Sequence, residues 1–371
     1  MIKSSLPTQL APSREGSHIW PDVISKLKGE RSYYLIIFAS LILWFVGAQF
    51  LYSFIDGPDV TTQNRASGFA VKMMTYGFVY LLCAAILRII QFNKNTEHSS
   101  IISGLQQAWS KDPSRPVIWI IHACLALVTY VLLMTNFMSV KTLIPDMIPF
   151  YLDTAAYHID RAIFLGNDPW TLLSWVYDIP LLIVSIDRIY TAWAGLVIGI
   201  WIYCFTSRAM PQQERYQYIF SMILLWLFAG NILATLLSSA GPCYFEYFTG
   251  QNYYQPLIAQ LATIHETHNL GAYEYFDVLL TMYENKESRF AGISAVPSLH
   301  CAASFMMLLL FWKNRLLRIL LIAFNITIYI GSIVLAWHYA IDGILAYPVT
   351  LLCWWTGGKI STHLTQKHLV P

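Results

Sequence analysis

Charge is what this chain has least of. Asp, Glu, Lys and Arg make up 12% of its 371 residues, against roughly a quarter in soluble domains. That scarcity excludes an ordinary solvated globule. No run of about five or more basic residues occurs, so no nucleic-acid arm is present and no nucleic-acid partner is expected. The six cysteines, at 83, 124, 204, 243, 301 and 353, lack metal-like spacing and fall mostly inside apolar runs, where they read as small core residues. No metal or other cofactor is expected from them. His265-Glu266-Thr267-His268 is one residue short of the spacing that puts two imidazoles a helical turn apart, which removes a zinc-protease reading. Residues 1–32 contain Pro7, Pro12 and Pro21 but no apolar core; they read as a cytoplasmic tail rather than a cleaved signal. No internal repeat is evident.

What is abundant is apolar: 56% of residues are hydrophobic and 15% aromatic. Runs long enough to span a bilayer begin near 33, 73, 117, 188, 217, 319 and 342. A shorter one, Cys301 to Trp312, reaches span length only if its helix starts at Pro297 and continues through the basic Lys313–Arg318 turn. Counting it gives an all-α polytopic membrane protein of about eight transmembrane helices. With both termini cytoplasmic, 16 of the 23 basic residues fall on the inner side; the other seven are Arg65, Lys72, Lys141, Arg161, Arg188, Lys286 and Arg289. The expected organisation is a tail (1–32), N-terminal transmembrane helices (33–139), an external amphipathic or re-entrant segment (140–186), a catalytic membrane core (187–357) and a cytoplasmic tail (358–371). A second outer stretch, 239–296, is rich in Tyr and Phe, including Tyr244; its rings form an interfacial belt or wall a lipid-facing pocket.

Two motifs carry chemistry. Pro297-Ser298-Leu299-His300 opens one apolar helix, and Trp337-His338-Tyr339-Ala340-Ile341-Asp342 closes the next and opens a third. The histidines are 38 residues apart, enough for one pass down and one back, so they return to one membrane face. Asp342 lies four residues past His338, on the same helical stripe. A carboxylate opening a membrane helix is costly unless paired, and pairing with His338 fixes that imidazole's tautomer. The helix start at Ser298 offers backbone N–H groups to an anion. Together these parts describe phosphoryl transfer: His338 attacks, Asp342 orients it, His300 protonates the leaving oxygen, and Ser298 helps hold the phosphate. Lys286 and Arg289, just before the motif, are the nearby cations; Arg289 binds phosphate or snorkels to head groups. Asp160, Arg161, Asp168, Asp187 and Arg188, in a region otherwise poor in charge, are candidates for a second-substrate pocket or for salt bridges and helix caps.

These residues resemble the type 2 phosphatidic acid phosphatase (PAP2) superfamily, in particular the branch containing inositol phosphorylceramide synthase and its bacterial relatives. Gly292-Ile293-Ser294-Ala295-Val296-Pro297-Ser298-Leu299-His300 is similar to that branch's second signature, and His338-Tyr339-Ala340-Ile341-Asp342 to its third. Gly241-Pro242-Cys243-Tyr244 and Asp160-Arg161 with Gly166-Asn167-Asp168-Pro169-Trp170 also resemble features of the branch. The resemblance implies a PAP2-like helical core, with His338 as nucleophile, Asp342 as its partner and His300 as acid. It is strong over about 230–355. Two departures stand out. The first signature, Lys-x6-Arg-Pro, finds no match before residue 290, and Ser332 stands where an Arg precedes His338 by six residues. Fewer cations suit a singly charged phosphodiester, which favours transfer of a phosphoryl or phospho-head group from a lipid donor to a hydroxyl acceptor. Hydrolysis of a lipid or polyprenyl (pyro)phosphate, with water in the acceptor's place, uses the same residues. A transporter or scramblase would need a mid-membrane ion site that is not visible, and haem or metal ligation leaves Asp342 and Ser298 without a role.

Overall fold

A computed structural model describes residues 19–55, 112–285 and 292–367, and among these every regular element is helical. A short amphipathic helix, α1 (Ile19–Lys28), leads into α2 (Arg31–Ile55). After the undescribed stretch come α3 (Ser114–Lys141), α4 (Asp153–Ile163), α5 (Pro180–Thr206) and α6 (Gln212–Leu227). The backbone of α6 then widens into a π-turn at Phe228–Leu233. Then follow α7 (Gln255–His268), α8 (Gly271–Glu284), α9 (Leu299–Leu310), α10 (Arg315–Val334) and α11 (Ala340–Lys367).

Local chemistry sets several of these boundaries. Pro180 and Pro256 sit in the first turns of α5 and α7, where a missing N–H costs nothing. The Ser298 hydroxyl caps α9 by accepting from the Cys301 N–H at 3.4 Å. Asn314 caps α10, accepting from the Leu317 N–H at 3.0 Å. That second cap corrects an expectation: α9 starts after Pro297 but stops at Leu310, because the chain breaks at 311–314 to open α10 rather than helically crossing the basic turn. Its 12 residues reach about 18 Å.

Among the described residues, five helices are long and apolar enough to cross a membrane: Arg31–Ile55, Ser114–Met147, Pro180–Thr206, Gln212–Leu236 and Arg315–Val334. The expected run near 73 lies outside the described residues. The 28-residue α11 has a span's length, but its polar residues, from Asp342 to His363, keep it out of that set. It also continues past 357 to Lys367, through Gly357-Gly358. The core gathers where α3, α5, α6, α9 and α11 meet, around Trp201, Tyr216, Tyr218 and Phe205. Two short segments, 238–241 and 292–298, cross one end of this bundle beside the start of α11. Gly241 adopts φ +99°, and a Cβ there would stand 2.8 Å from the Trp337 carbonyl oxygen, so only glycine allows this close crossing.

Candidate active site

His338 sits in the connection between α10 and α11, held by its own N–H on the Ser332 carbonyl at 2.9 Å. Its side chain is 8% exposed. Nδ1 lies 2.8 Å from the Ala295 carbonyl oxygen and 3.2 Å from Asp342 Oδ2. Both neighbours are acceptors, so Nδ1 carries the proton and Nε2 keeps its lone pair. Burial, with the Lys141 charge nearby, pushes the His338 imidazole down to about 3, against the opposing pull of the Ala295 carbonyl; the ring is neutral at neutral pH. Asp342 Oδ2 also accepts from the Tyr339 N–H at 3.1 Å, while the carbonyl of Asp342 receives the Ser298 N–H at 3.2 Å. The two motifs are thus tied backbone to backbone.

His300 projects from the first turn of α9. Its ring stacks between Tyr190 and Trp193, with centroids 4.3 Å from each, and 5.9 Å from the His338 ring. Among the described residues neither of its nitrogens has a protein hydrogen-bond partner. Both histidines line a cavity of about 380 Å³, together with Tyr190, Tyr244, Ser294 and Lys141. Ser298 is fully buried and does not line it.

Sequence reasoning missed two contributors. The first is the Ala295 carbonyl, a backbone group in the 292–298 crossing, which is anchored by the Ala295 N–H on the Ser239 carbonyl at 3.0 Å. The second is Lys141, the last residue of α3. Its Nζ lies 5.6 Å from the centre of the Phe137 ring and has no carboxylate partner among the described residues. Gly292 packs on it so closely that a Cβ would stand 2.5 Å from Lys141 Cγ. A signal existed: Lys141 is followed, at the signature's spacing, by Ile148-Pro149. Two of that signature's three fixed residues, lysine and proline, are therefore matched, with isoleucine in place of its arginine.

The other candidates separate by place. Asp160 gives both carboxylate oxygens to backbone, accepting from the Ala340 and Ile341 N–H groups at 2.7 and 2.8 Å. Asp187 does the same for Gly271 and Ala272 at the start of α8, at 3.0 and 2.8 Å. Neither lines the cavity. Burial pushes Asp160 up to about 7, its two N–H donors opposing. Arg161 pairs with Asp168 at 3.2 Å and donates to the Tyr157 hydroxyl at 3.1 Å. Arg188 holds the Asn269 carbonyl at 3.0 Å. Tyr244 donates to the Phe276 carbonyl at 3.1 Å while its ring lines the cavity. Lys286 and Arg289 lie outside the described residues. A further carboxylate, Asp153, accepts from the Ala240 and Gly241 N–H groups (2.9 and 2.8 Å) and from the Tyr339 hydroxyl (2.7 Å).

A helical membrane-type bundle with two histidines, a carboxylate and a lysine gathered at one end defines the class. The PAP2 superfamily profile matches residues 154–356, more than half of the chain, and the protein belongs to that superfamily. No curated protein and no solved structure matches it. The matched stretch holds both histidine motifs; Lys141 lies just before it.

Proposed function

We propose that this protein is a lipid phosphate phosphatase working through a phosphohistidine on His338. The observation that carries the reading is a single one: His338 has Nδ1 fixed by two acceptors, leaving Nε2 free beside His300 and Lys141 in one cavity. In the first step Nε2 attacks phosphorus in line, the N–P bond forms, and the bond to the lipid oxygen breaks. His300 supplies the proton to that oxygen; a phosphate dianion beside it favours the charged imidazole. Asp342 offsets the positive charge that develops on His338, and the Lys141 ammonium faces the phosphate oxygens. Water, deprotonated by the now neutral His300, then breaks the N–P bond and releases phosphate.

The lipid nature of the substrate rests on the rest of the cavity. Beyond Lys141 its wall is apolar and aromatic and descends along α3 through Met138, Phe137 and Met134 to Tyr130. Eleven residues of helix rise about 16 Å, half the hydrocarbon thickness of a bilayer. The excess of basic residues away from the histidines supports a site on the external or lumenal face with both termini cytoplasmic.

One observation favours head-group transfer instead. With Ile148 in the arginine's place, Lys141 is the one signature cation, and one cation suits a singly charged phosphodiester. Purified protein in vesicles, given a lipid phosphate or a phosphodiester lipid with a hydroxyl acceptor, decides between them. Phosphate release from the first, abolished by His338→Ala, is the expected result. Acceptor-dependent product from the second, without phosphate release from the first, would replace hydrolysis by transfer. Release that survives His338→Ala would overturn the phosphohistidine.

A further inference from the structure

As the acid of a phosphatase, His300 must carry a proton in a place that opposes one. Burial, then His338 and Lys141, hold its imidazole well below the usual range. Its position in the first turn of α9 adds the positive end of a helix dipole. No carboxylate offsets these effects: among the described residues none lines the cavity. The titratable groups that do line it are Lys141 on α3, Tyr130 deeper on the same helix, Tyr190 on α5, Tyr244 after the 238–241 crossing, Tyr275 on α8 and His338 before α11. On α9 itself Cys301 follows, and Asp342 faces Nδ1 of His338 instead. What His300 has is two aromatic faces. Tyr190 and Trp193 stand one turn apart on α5, at the i,i+3 spacing that turns both side chains to one stripe. The imidazole enters between them, 4.3 Å from each centroid, at 16° to the phenol and 37° to the indole. Gly331 of α10 backs the phenol: a Cβ there would stand 3.1 Å from the Tyr190 ring. Trp226 flanks the indole at 6.2 Å. Neither the Tyr190 hydroxyl nor the Trp193 indole N–H has a hydrogen-bond partner among the described residues, and both residues meet His300 through their π faces.

We propose that Tyr190 and Trp193 are positioning residues for the general acid: their rings clasp the His300 imidazole on both faces, hold it toward the phosphate and favour its charged form. The proposal rests on the lipid phosphatase reading, in which His300 protonates the leaving oxygen. An aromatic face is electron-rich, and a cation within about 6 Å of its centroid is attracted to it, most strongly by indole and more so where water is excluded. Both centroids lie inside that distance. A neutral imidazole stacks on the same rings with less electrostatic gain. The sandwich therefore favours the proton without placing an anion in the cavity, where a carboxylate would repel the substrate phosphate and compete with it for Lys141. It also leaves the ring edge free, so the nitrogen that gives its proton to the leaving oxygen can take one back from the attacking water.

The test reads the protonation of His300 directly. Protein labelled with 15N-histidine, in lipid nanodiscs with and without inorganic phosphate, is titrated by NMR, and the His300 signals are assigned by their loss in His300→Gln. Tyr190→Leu and Trp193→Leu should each move the midpoint down by about half a unit to one unit. Tyr190→Phe and Trp193→Phe, which keep a ring, should recover most of that shift. Successively fluorinated tryptophans at position 193 keep the shape of the indole while withdrawing electron density from its π face, and the midpoint should fall with each step. Steady-state rates add a reading on catalysis. In the Leu variants the alkaline limb of kcat for a lipid phosphate should shift to lower pH in step with the midpoint. Their loss should be about tenfold greater on that alkyl phosphate than on an activated aryl phosphate, which needs no proton. A midpoint unchanged in the Leu variants and across the fluorinated series overturns the proposal. So does a His300 that stays neutral with phosphate bound, or parallel loss on alkyl and aryl phosphates. If a Leu variant fails to fold, the fluorinated series decides alone. If wild type hydrolyses neither substrate, the phosphatase reading fails while the titration still decides the sandwich.

Discussion

At the scale of residues, the site is a problem of one imidazole and its two nitrogens. Asp342 and the Ala295 carbonyl both claim Nδ1 of His338, so removing one weakens the tautomer without abolishing its anchor. Asp342→Asn should lower turnover by roughly 10²–10⁴-fold, by analogy with triad carboxylates; near-normal turnover would make Asp342 a helix cap alone. His300→Ala should slow poor leaving groups far more than an activated aryl phosphate, because only the former need a proton. Steady-state rates over a series of leaving groups check this, and equal losses across it would remove His300 as the acid. Lys141→Met should raise KM for lipid phosphate more than it lowers kcat, and Gly292→Ala should do likewise, since its new methyl displaces the lysine stem. His300, His338 and Asp342 were legible because return spacing and an i,i+4 stripe are properties of sequence. The Ala295 carbonyl was not, since a backbone oxygen carries no residue signature. Lys141 was hidden by the loss of one arginine from its motif.

Among the elements, α4 supports the site without lining its cavity. Asp153 and Asp160, two turns apart on its buried face, hold the 240–241 crossing and the first turn of α11. In the sequence Asp160 is a candidate for a second-substrate pocket or for a salt bridge or helix cap, because a charge in an apolar chain calls for a partner. The partners are main-chain N–H groups, which no side-chain pattern reveals. The end of α9 escaped for a related reason: apolar composition continues to Trp312, and only the Asn314 cap marks the break. Asp160→Asn keeps one acceptor but turns an amide N–H toward a backbone N–H, and should cost about 1–3 kcal/mol of stability. A pH dependence accompanies it. Burial raises Asp160 from its ordinary value of 3.8 to about 7 in the folded protein. The folded state therefore binds this proton more tightly than the unfolded chain. The resulting stabilisation is complete below the unfolded value and is lost as pH rises through the folded one. Wild-type melting temperature should fall between about pH 4 and pH 7, and Asp160→Asn should flatten that fall. Identical pH profiles for the two would contradict this assignment.

For the molecule as a whole, a second polar centre stands at the opposite end from the histidines. Buried Glu30, just before α2, meets His122 Nε2 at 2.8 Å, Arg215 at 3.2 Å and Arg208 at 3.3 Å, and accepts from the Tyr34 hydroxyl at 2.6 Å. Burial alone would raise its carboxyl, but these neighbours hold it down to about 2. The cluster joins the N-terminal helices to α3 and α6, about 28 Å along α3 from Lys141. Glu30→Gln leaves Arg215 buried without its counter-charge and should destabilise the fold by about 3–5 kcal/mol. Turnover per folded molecule should stay unchanged, as activity normalised to correctly folded protein will reveal. At this scale the helical, membrane-type character was plain from composition, whereas the way the helices splay was not. Span count depends on where caps interrupt apolar runs, and cavity position depends on which stripe of a helix is left uncovered. The most direct measurement of the central claim is rapid quenching of wild type with radiolabelled lipid phosphate, followed by peptide mapping at alkaline pH. An acid-labile, alkali-stable phosphate on the peptide bearing His338, formed within one turnover and absent from His338→Ala, is the predicted result. Turnover without such a label, or the label on another residue, would contradict it.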